Sequence, residues 1–193
     1  MKIGVLALQG SVKEHVEAIK KCGVEPVLVK LPRDLDEING LIIPGGESTT
    51  IGKLMKEYEL DKAIKRRHEE GMPIYGTCAG AILLAKYIIG SKQPRLGLMD
   101  VSVKRNEYGR QIDSFEADLN IFDGKKFKGV FIRAPVIDAV HDGCKILAKF
   151  GDKPVFVEQR NLLVSTFHPE LTNDLRIHRY FIEMVDKSRT ILF

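Results

Sequence analysis

The pentapeptide Gly76-Thr77-Cys78-Ala79-Gly80 constrains this chain more than any other stretch, because of what flanks it. Met72-Pro73-Ile74-Tyr75 before it reads as a buried strand, and Ala81-Ile82-Leu83-Leu84-Ala85-Lys86 after it reads as a helix. A strand that turns through small residues straight into a helix is a nucleophile elbow, here with cysteine in place of serine. Glycines on both sides allow the sharp corner, which leaves the sulfur exposed above a sheet. A cysteine there sits at a helix N-terminus, where free N–H groups and the macrodipole favour an anion. In such a place a thiol pKa near ~8.5 can fall to roughly 3.5–7.5. The alternative is a small buried core residue, the commonest fate of a lone cysteine.

The rest of the first half agrees with an open α/β sheet. Lys2 to Leu8 is a continuous apolar run, as expected of a strand covered on both faces. Ser11 with Glu14 has the form of a capping box, and Val12, Val16 and Ile19 follow at helical spacing. Val27-Leu28-Val29 and Leu41-Ile42-Ile43 supply two more strands, the second entered through Asn39-Gly40. A helical region from about Thr50 to Glu70 leads to the strand before Cys78. From about Leu98 the pattern changes to strands with little helix: Val101-Ser102-Val103, Gln111 to Ala117, Val130-Phe131-Ile132 and Val155-Phe156-Val157. Leu162 to Phe167 is a further apolar strand. Asp174 to Asp186 is a closing helix with Leu175, Ile182 and Val185 on one side. The pattern predicts an α/β fold, a three-layer doubly wound and mostly parallel sheet with an antiparallel extension in the second half.

With 193 residues and 44% hydrophobic content the chain can bury one core, so residues 1–193 are expected to form one domain, core about 2–186 and tail 187–193. The net charge of +4 is spread over both signs, which excludes an obvious nucleic-acid face. Lys65-Arg66-Arg67 stands beside Glu69 and Glu70 and reads as a solvated helix face. Cys22, Cys78 and Cys144 are few, odd in number and far apart, which suits a reducing cytoplasmic setting rather than a disulfide framework. Met1-Lys2 leads straight into the first strand with no signal peptide. The apolar run Ala79 to Gly90 is broken by Lys86, so no membrane span is expected.

A cysteine nucleophile needs a base, and the base needs an orienting partner. His168-Pro169-Glu170 follows the strand ending at Phe167. Residues two apart in extended chain point the same way, so His168 can face Cys78 while Glu170 holds its far nitrogen. Taken alone, the same pair is also compatible with a surface ion pair at a strand end. His15 lies on the first helix, within reach of the same sheet edge; His68, His141 and His178 are weaker candidates. No histidine or cysteine grouping has metal-ligand spacing, so no metal is expected. A tetrahedral intermediate needs oxyanion donors. Pro44-Gly45-Gly46-Glu47-Ser48 ends the third strand, and the backbone N–H groups of Gly46 and Ala79 are the expected pair. The same turn also suits a plain strand-to-helix corner with Ser48 or Thr49 as N-cap. Leu8-Gln9-Gly10-Ser11 borders the same edge but lacks the G-x-G-x-x-G dinucleotide pattern.

Gly45-Gly46-Glu47-Ser48, the GTCAG elbow and His168-Pro169-Glu170, in this order, resemble the class I, triad-type glutamine amidotransferases. Gly4 to Gly10, Pro44 to Thr50, Arg105 to Gln111, Ser114 to Glu116, Phe131 to Pro135 and Thr166 to Leu171 narrow the resemblance. Together they look like the glutaminase subunit of the ribose 5-phosphate-dependent pyridoxal 5′-phosphate synthase, from residue 2 to about 185. The resemblance implies hydrolysis of L-glutamine to glutamate and ammonia through a γ-glutamyl thioester on Cys78, with His168 and Glu170 completing the triad. It implies that Gly46, Glu47, Ser48, Arg105, Ile132 and Arg133 line the glutamine site, with arginine suited to the α-carboxylate and Glu47 to the α-ammonium. It also implies delivery of ammonia to a (β/α)₈ synthase subunit in a large hetero-oligomer, with low activity until that subunit docks. Pyridoxal 5′-phosphate is then the product of the assembly, and this subunit needs no cofactor. The nearest alternative is the glutaminase subunit of another amidotransferase, such as imidazole glycerol phosphate synthase. A cysteine peptidase or chaperone of the elbow group, or a nucleotide-binding module at Gly10, stands further off.

Overall fold

In the computed structural model, which describes residues 1–105, 114–122 and 124–190, apolar runs alternate with helices throughout the first half. The strands are β1 (Lys2–Leu6), β2 (Glu25–Val29), β3 (Gly40–Ile43), β4 (Ile74–Thr77), β5 (Ala85–Ile88), β6 (Met99–Lys104), β7 (Ser114–Ile121), β8 (Lys125–Ile132), β9 (Val136–Val140), β10 (Lys145–Phe150), β11 (Lys153–Gln159) and β12 (Leu162–Ser165). The helices are α1 (Val12–Lys21), α2 (Ser48–Glu57), α3 (Leu60–Glu69), α4 (Ala79–Leu84) and α5 (Arg176–Thr190).

The main sheet has the order β10-β11-β12-β4-β3-β1-β2. Its five strands from β12 to β2 are parallel. β11 and β10 continue it antiparallel from β12. The extension expected of the second half is thus an edge of the main sheet. β5-β6-β9 form a second small sheet, and β7–β8 a hairpin.

Neighbouring residues of the central strands feed opposite cores. Ile42 and Tyr75 pack with Ile19 of α1 and Phe181 of α5. Leu41, Ile43 and Ile74 pack with Ile51, Met55, Ile64 and Leu83 of the helices on the other face. Strands covered on both sides need no polar alternation, which is why they read as unbroken apolar runs. Full burial of a side chain such as Phe181 contributes about 1.5–3 kcal/mol.

Several boundaries differ from the sequence expectation. The first strand stops at Leu6, although the Ala7 N–H still donates to Val29 O at 2.8 Å. The region Thr50 to Glu70 is two helices, because Glu59 takes left-handed backbone (φ 57°) with no glycine to mark it. The helix after the elbow ends at Leu84, so Ala85 and Lys86 belong to β5 instead. The Leu96 and Leu98 N–H groups take the carbonyls of Leu83 and Leu84 that a longer helix would have used. The closing helix buries Val185 and half-buries Ile182 of the face expected, and adds Ile177, His178 and Phe181 to it, while Leu175 lies before its first residue Arg176. The Ser11–Glu14 capping box does not form, since Ser11 makes no side-chain cap bond. Of the strand expected over Gln111 to Ala117, the described part, from Ser114, is in β7. Residues 106–113, which carry most of the Arg105–Gln111 block, lie outside the described residues.

The elbow depends on close approach of backbones. A Cβ on Gly80 would stand 2.1 Å from Ile43 O, and one on Gly76 would stand 2.5 Å from Gly80 O. Gly80→Ala must push α4 off β3, and is expected to destabilise the fold by about 1–3 kcal/mol. Urea unfolding with an unchanged m-value and a lower midpoint is the expected result.

Candidate active site

Four strand ends of the parallel sheet meet at one edge, the place where open α/β sheets hold their ligands. β1 leads to Gln9, Gly10 and Ser11; β3 to Gly45, Gly46 and Glu47; β4 to Cys78; and β12 to His168. They surround a cavity of about 470 Å³. Gly46, Glu47, Ser48, Cys78, Ala79, Arg105, Ile132, Arg133 and His168, all singled out in the sequence, line it. Glu170 stands behind His168, almost fully buried.

Cys78 is held in backbone conformation φ 49°, ψ −102° between β4 and α4. A non-glycine residue so placed costs on the order of 1–3 kcal/mol, and the surrounding bonds must hold it there. The Cys78 N–H donates to Ser165 O at 2.8 Å, and Cys78 O accepts from the N–H groups of Ala81 and Ile82. Its sulfur lies 3.7 Å from Ile132 O.

His168 and Glu170 meet by a route other than the extended chain expected. Pro169–Leu171 forms a turn of 3₁₀ helix, which swings the Glu170 carboxylate back to the ring. Glu170 Oε1 lies 2.7 Å from His168 Nδ1 and accepts from Ser11 Oγ at 2.7 Å. With Nδ1–H given to the carboxylate, Nε2 is left for the cysteine. The backbone of His168 is also fixed, since its N–H donates to Val130 O at 2.8 Å. Burial opposes a charge on His168, but hydrogen bonds to Cys78 and Glu170 outweigh it and raise its pKa to about 10. Burial likewise opposes a charge on Glu170, yet His15, His168 and Ser11 bring its pKa down to about 2. The two form a buried ion pair.

The loop after β3 closes over this pair. A Cβ on Gly45 would stand 2.4 Å from His168 Cε1 and 3.3 Å from Cys78 Cβ, so only glycine leaves room for the imidazole beside the sulfur. The Gly45 N–H donates to Thr77 Oγ1 at 3.1 Å, and Gly45 O accepts from the Ser11 N–H at 3.0 Å. In a planar trans peptide the following N–H points opposite to that carbonyl. The Gly46 N–H therefore points away from Ser11.

Glu47, not Ser48 or Thr49, caps α2. Its carboxylate accepts from the Thr49 N–H (3.0 Å), the Thr50 N–H (2.7 Å) and Thr50 Oγ1 (2.7 Å). The Thr50 hydroxyl, ahead of the backbone bonds, brings its pKa to about 2. Arg105 donates to Gln93 Oε1 (2.8 Å) and Thr49 Oγ1 (3.2 Å) and stands 3.5 Å from Glu47. Ile132 and Arg133 are exposed on the opposite rim, Arg133 with left-handed backbone (φ 43°).

Sequence reasoning gave Thr77, Gln93 and His178 no role at this edge, and gave Ser11 and His15 only proximity to it. A usable signal was present for the two histidines. His15 occupies the apolar stripe of α1 with Val12, Val16 and Ile19, and His178 that of α5 with Phe181 and Val185. A polar ring on a buried stripe needs a partner inside.

Comparison with known proteins places the chain in a family. Residues 5–187 match the model of the SNO glutamine amidotransferase family. The chain is 55% identical over 185 residues to the pyridoxal 5′-phosphate synthase subunit PdxT of Pelotomaculum thermopropionicum, covering 95% of this chain and 94% of that one. It is 54% identical over 190 residues to the same-named subunit of Carboxydothermus hydrogenoformans, covering 97% and 100%. A solved structure described as a glutamine amidotransferase superposes with a TM-score of 0.92 at 52% identity, over 95% of this chain and 98% of that one. The chain belongs to the SNO glutamine amidotransferase family. It is accordingly an enzyme, a glutaminase subunit.

Proposed function

We propose that the chain hydrolyses L-glutamine with a Cys78–His168–Glu170 triad and passes the ammonia to a (β/α)₈ pyridoxal 5′-phosphate synthase subunit in a hetero-oligomer. The observation that carries the triad is Glu170 Oε1 held at 2.7 Å from His168 Nδ1, on a ring whose other side faces Cys78. The sulfur, whose proton is already held on His168 Nε2 in the ion pair with Glu170, attacks the side-chain amide carbon. The N–H groups of Gly46 and Ala79 receive the negative charge that develops on the amide oxygen. Collapse of the adduct breaks the C–N bond, and the His168 imidazolium gives its proton to the leaving ammonia. A water molecule, deprotonated by the now neutral His168, then attacks the γ-glutamyl thioester, breaking the C–S bond, releasing glutamate and leaving the sulfur beside the recharged imidazolium. Glu170 keeps the proton on Nδ1 and steadies the imidazolium throughout.

Glutamine lies against Gly46, Glu47, Ser48, Arg105, Ile132 and Arg133, with the arginines forming the cationic side for the α-carboxylate. Glu47 already accepts three hydrogen bonds, so its charge reaches an α-ammonium only from its exposed edge. The subunit uses no metal or cofactor of its own; pyridoxal 5′-phosphate is made by the partner. Free thiols at Cys22, Cys78 and Cys144 suit work in the cytoplasm. Among the described residues no helix is long and apolar enough to cross a membrane. The chain acts as one glutaminase unit, whose closing helix continues through Thr190 rather than ending at Asp186.

The expected result is slow glutamate release by the chain alone and much faster release when the synthase subunit is added. The comparison is made in a coupled glutamate assay with Cys78→Ala as the blank. Equal rates with and without the synthase would remove docking-dependent activation. No release under either condition would remove the glutaminase reading.

A further inference from the structure

Glu170 has a second side that the triad does not use. Its Oε1 serves His168 and Ser11, whereas Oε2 is buried and makes no hydrogen bond among the described residues. Nε2 of His15 lies 3.5 Å from Oε2. His15 is wholly buried, with its Nε2 also 3.0 Å from Thr77 Oγ1 and its Nδ1 3.0 Å from His178 Nε2. Burial drives both rings toward the neutral form, pushing the His15 pKa below its ordinary value and that of His178 to about 3. Each ring then carries one proton, and the surroundings select where.

If His15 held its proton on Nδ1, its bare Nε2 would turn a lone pair toward the Glu170 carboxylate. His178 would then hold its proton on Nδ1, a buried nitrogen without an acceptor. The opposite arrangement removes both conflicts. His178 Nε2–H donates to His15 Nδ1, and His15 Nε2–H donates to Thr77 Oγ1 with Glu170 Oε2 beyond it. A lone pair on His178 Nδ1 and the hydrogen of the Thr77 hydroxyl then stay unmatched among the described residues, in place of a buried His178 Nδ1–H and a lone pair aimed at a carboxylate.

We infer that His15 is a positioning residue of the glutaminase site, whose Nε2–H, oriented by His178, ties the triad carboxylate to the oxyanion loop through Thr77. The inference rests on the triad reading above. Thr77 Oγ1 is the acceptor for the Gly45 N–H, and Gly45 precedes the Gly46 N–H assigned to the oxyanion. The same imidazole proton thus helps hold Glu170 behind His168 and the loop in front of Cys78. Helix α1 supplies Ser11 to one carboxylate oxygen through the residue before it, and His15 to the other.

The test uses His15→Phe, His15→Gln and His15→Asn, measured with whichever of the free chain or the synthase complex turns over faster. Phenylalanine keeps the ring volume and removes both nitrogens. Glutamine can place an amide N–H near the Nε2 position, whereas asparagine reaches only the Nδ1 position. His15→Phe and His15→Asn are expected to lower kcat roughly 10- to 100-fold with KM nearly unchanged. His15→Gln should recover most of that loss, although its thermal stability is no better than that of His15→Asn. In the wild type, nitrogen-15 NMR should find His15 neutral with its proton on Nε2. Equal activity in all three variants, activity that simply follows Tm, or a proton on Nδ1 would overturn the inference. Cys78→Ala assayed in parallel separates the two levels. Glutamate release by that variant would overturn the triad reading itself, whereas an inactive Cys78→Ala beside a fully active His15→Phe would overturn only the role of His15.

Discussion

Cys78→Ala is expected to reduce glutamate release by roughly 10⁵- to 10⁶-fold, to the level left by binding and the oxyanion donors alone. The sulfur is the nucleophile of the proposed triad, and the site is built around its position. The left-handed turn at Cys78, the glycine contacts at Gly45 and Gly80, and the bond from its N–H to Ser165 O all serve that placement. Removing one sulfur atom leaves those bonds in place, so the variant should fold, with stability within about 1 kcal/mol of the wild type. Cys78→Ser tests the chemistry more narrowly. It keeps a nucleophilic atom near the same place but must lose a far less acidic proton, so it should be nearly as inactive. Steady-state assays at saturating glutamine, with urea unfolding of the same samples, check both halves of the prediction.

Glu170→Gln carries the second largest effect, a loss of roughly 10³- to 10⁴-fold in kcat. Size and shape are conserved, but one carboxylate oxygen becomes an NH₂ group. If the amide oxygen stays with Ser11 and His168 Nδ1, the NH₂ group meets the Nε2–H of His15 across 3.5 Å. If the amide flips, donors face both Ser11 and His168, and the His168 ring loses the tautomer that leaves Nε2 free. Either orientation also removes the negative charge that supports the imidazolium.

The same substitution should change stability with pH. Glu170 has its pKa lowered from 4.5 to about 2, so its contribution is present above about pH 4.5 and is lost as pH falls toward 2. His168 has its pKa raised from 6.5 to about 10, so its contribution is complete below about pH 6.5 and is lost as pH rises toward 10. The extra stability of the wild type over Glu170→Gln should therefore be greatest between about pH 4.5 and 6.5 and shrink on either side. Urea midpoints of the two proteins across that range test it. A difference that stays constant with pH would mean that the pair is not ionised in the folded protein.

The parallel half of the fold was legible because its strands are covered on both faces and its turns fall at Gly23, Asn39-Gly40 and Gly45-Gly46. Strands β5, β9 and β10 were not. Lys86 and Tyr87 are exposed at an edge, and their short run continues an apolar helix without a break. Glu59 shows the same limit, since its left-handed turn splits α2 from α3 with no residue type to announce it. Cys78, His168 and Glu170 could be named because a nucleophile, a base and a carboxylate each stand at a strand end with small or rigid neighbours. Ser11 was misassigned because its spacing to Glu14 matches a local cap, whereas its hydroxyl goes to a residue 159 positions away. His178 was passed over for the same reason. Contacts between α1 and α5, distant in sequence but packed on one face of the sheet, leave no local spacing, only a polar residue where the apolar stripe predicts none.

The most direct measurement is acid quenching of the enzyme during glutamine turnover, followed by peptide mass spectrometry. One γ-glutamyl group on the peptide containing Cys78, absent from Cys78→Ala and lost after glutamine is exhausted, is the predicted result. Rapid glutamate release with Cys78 unmodified, or with the acyl group on another residue, would contradict the account.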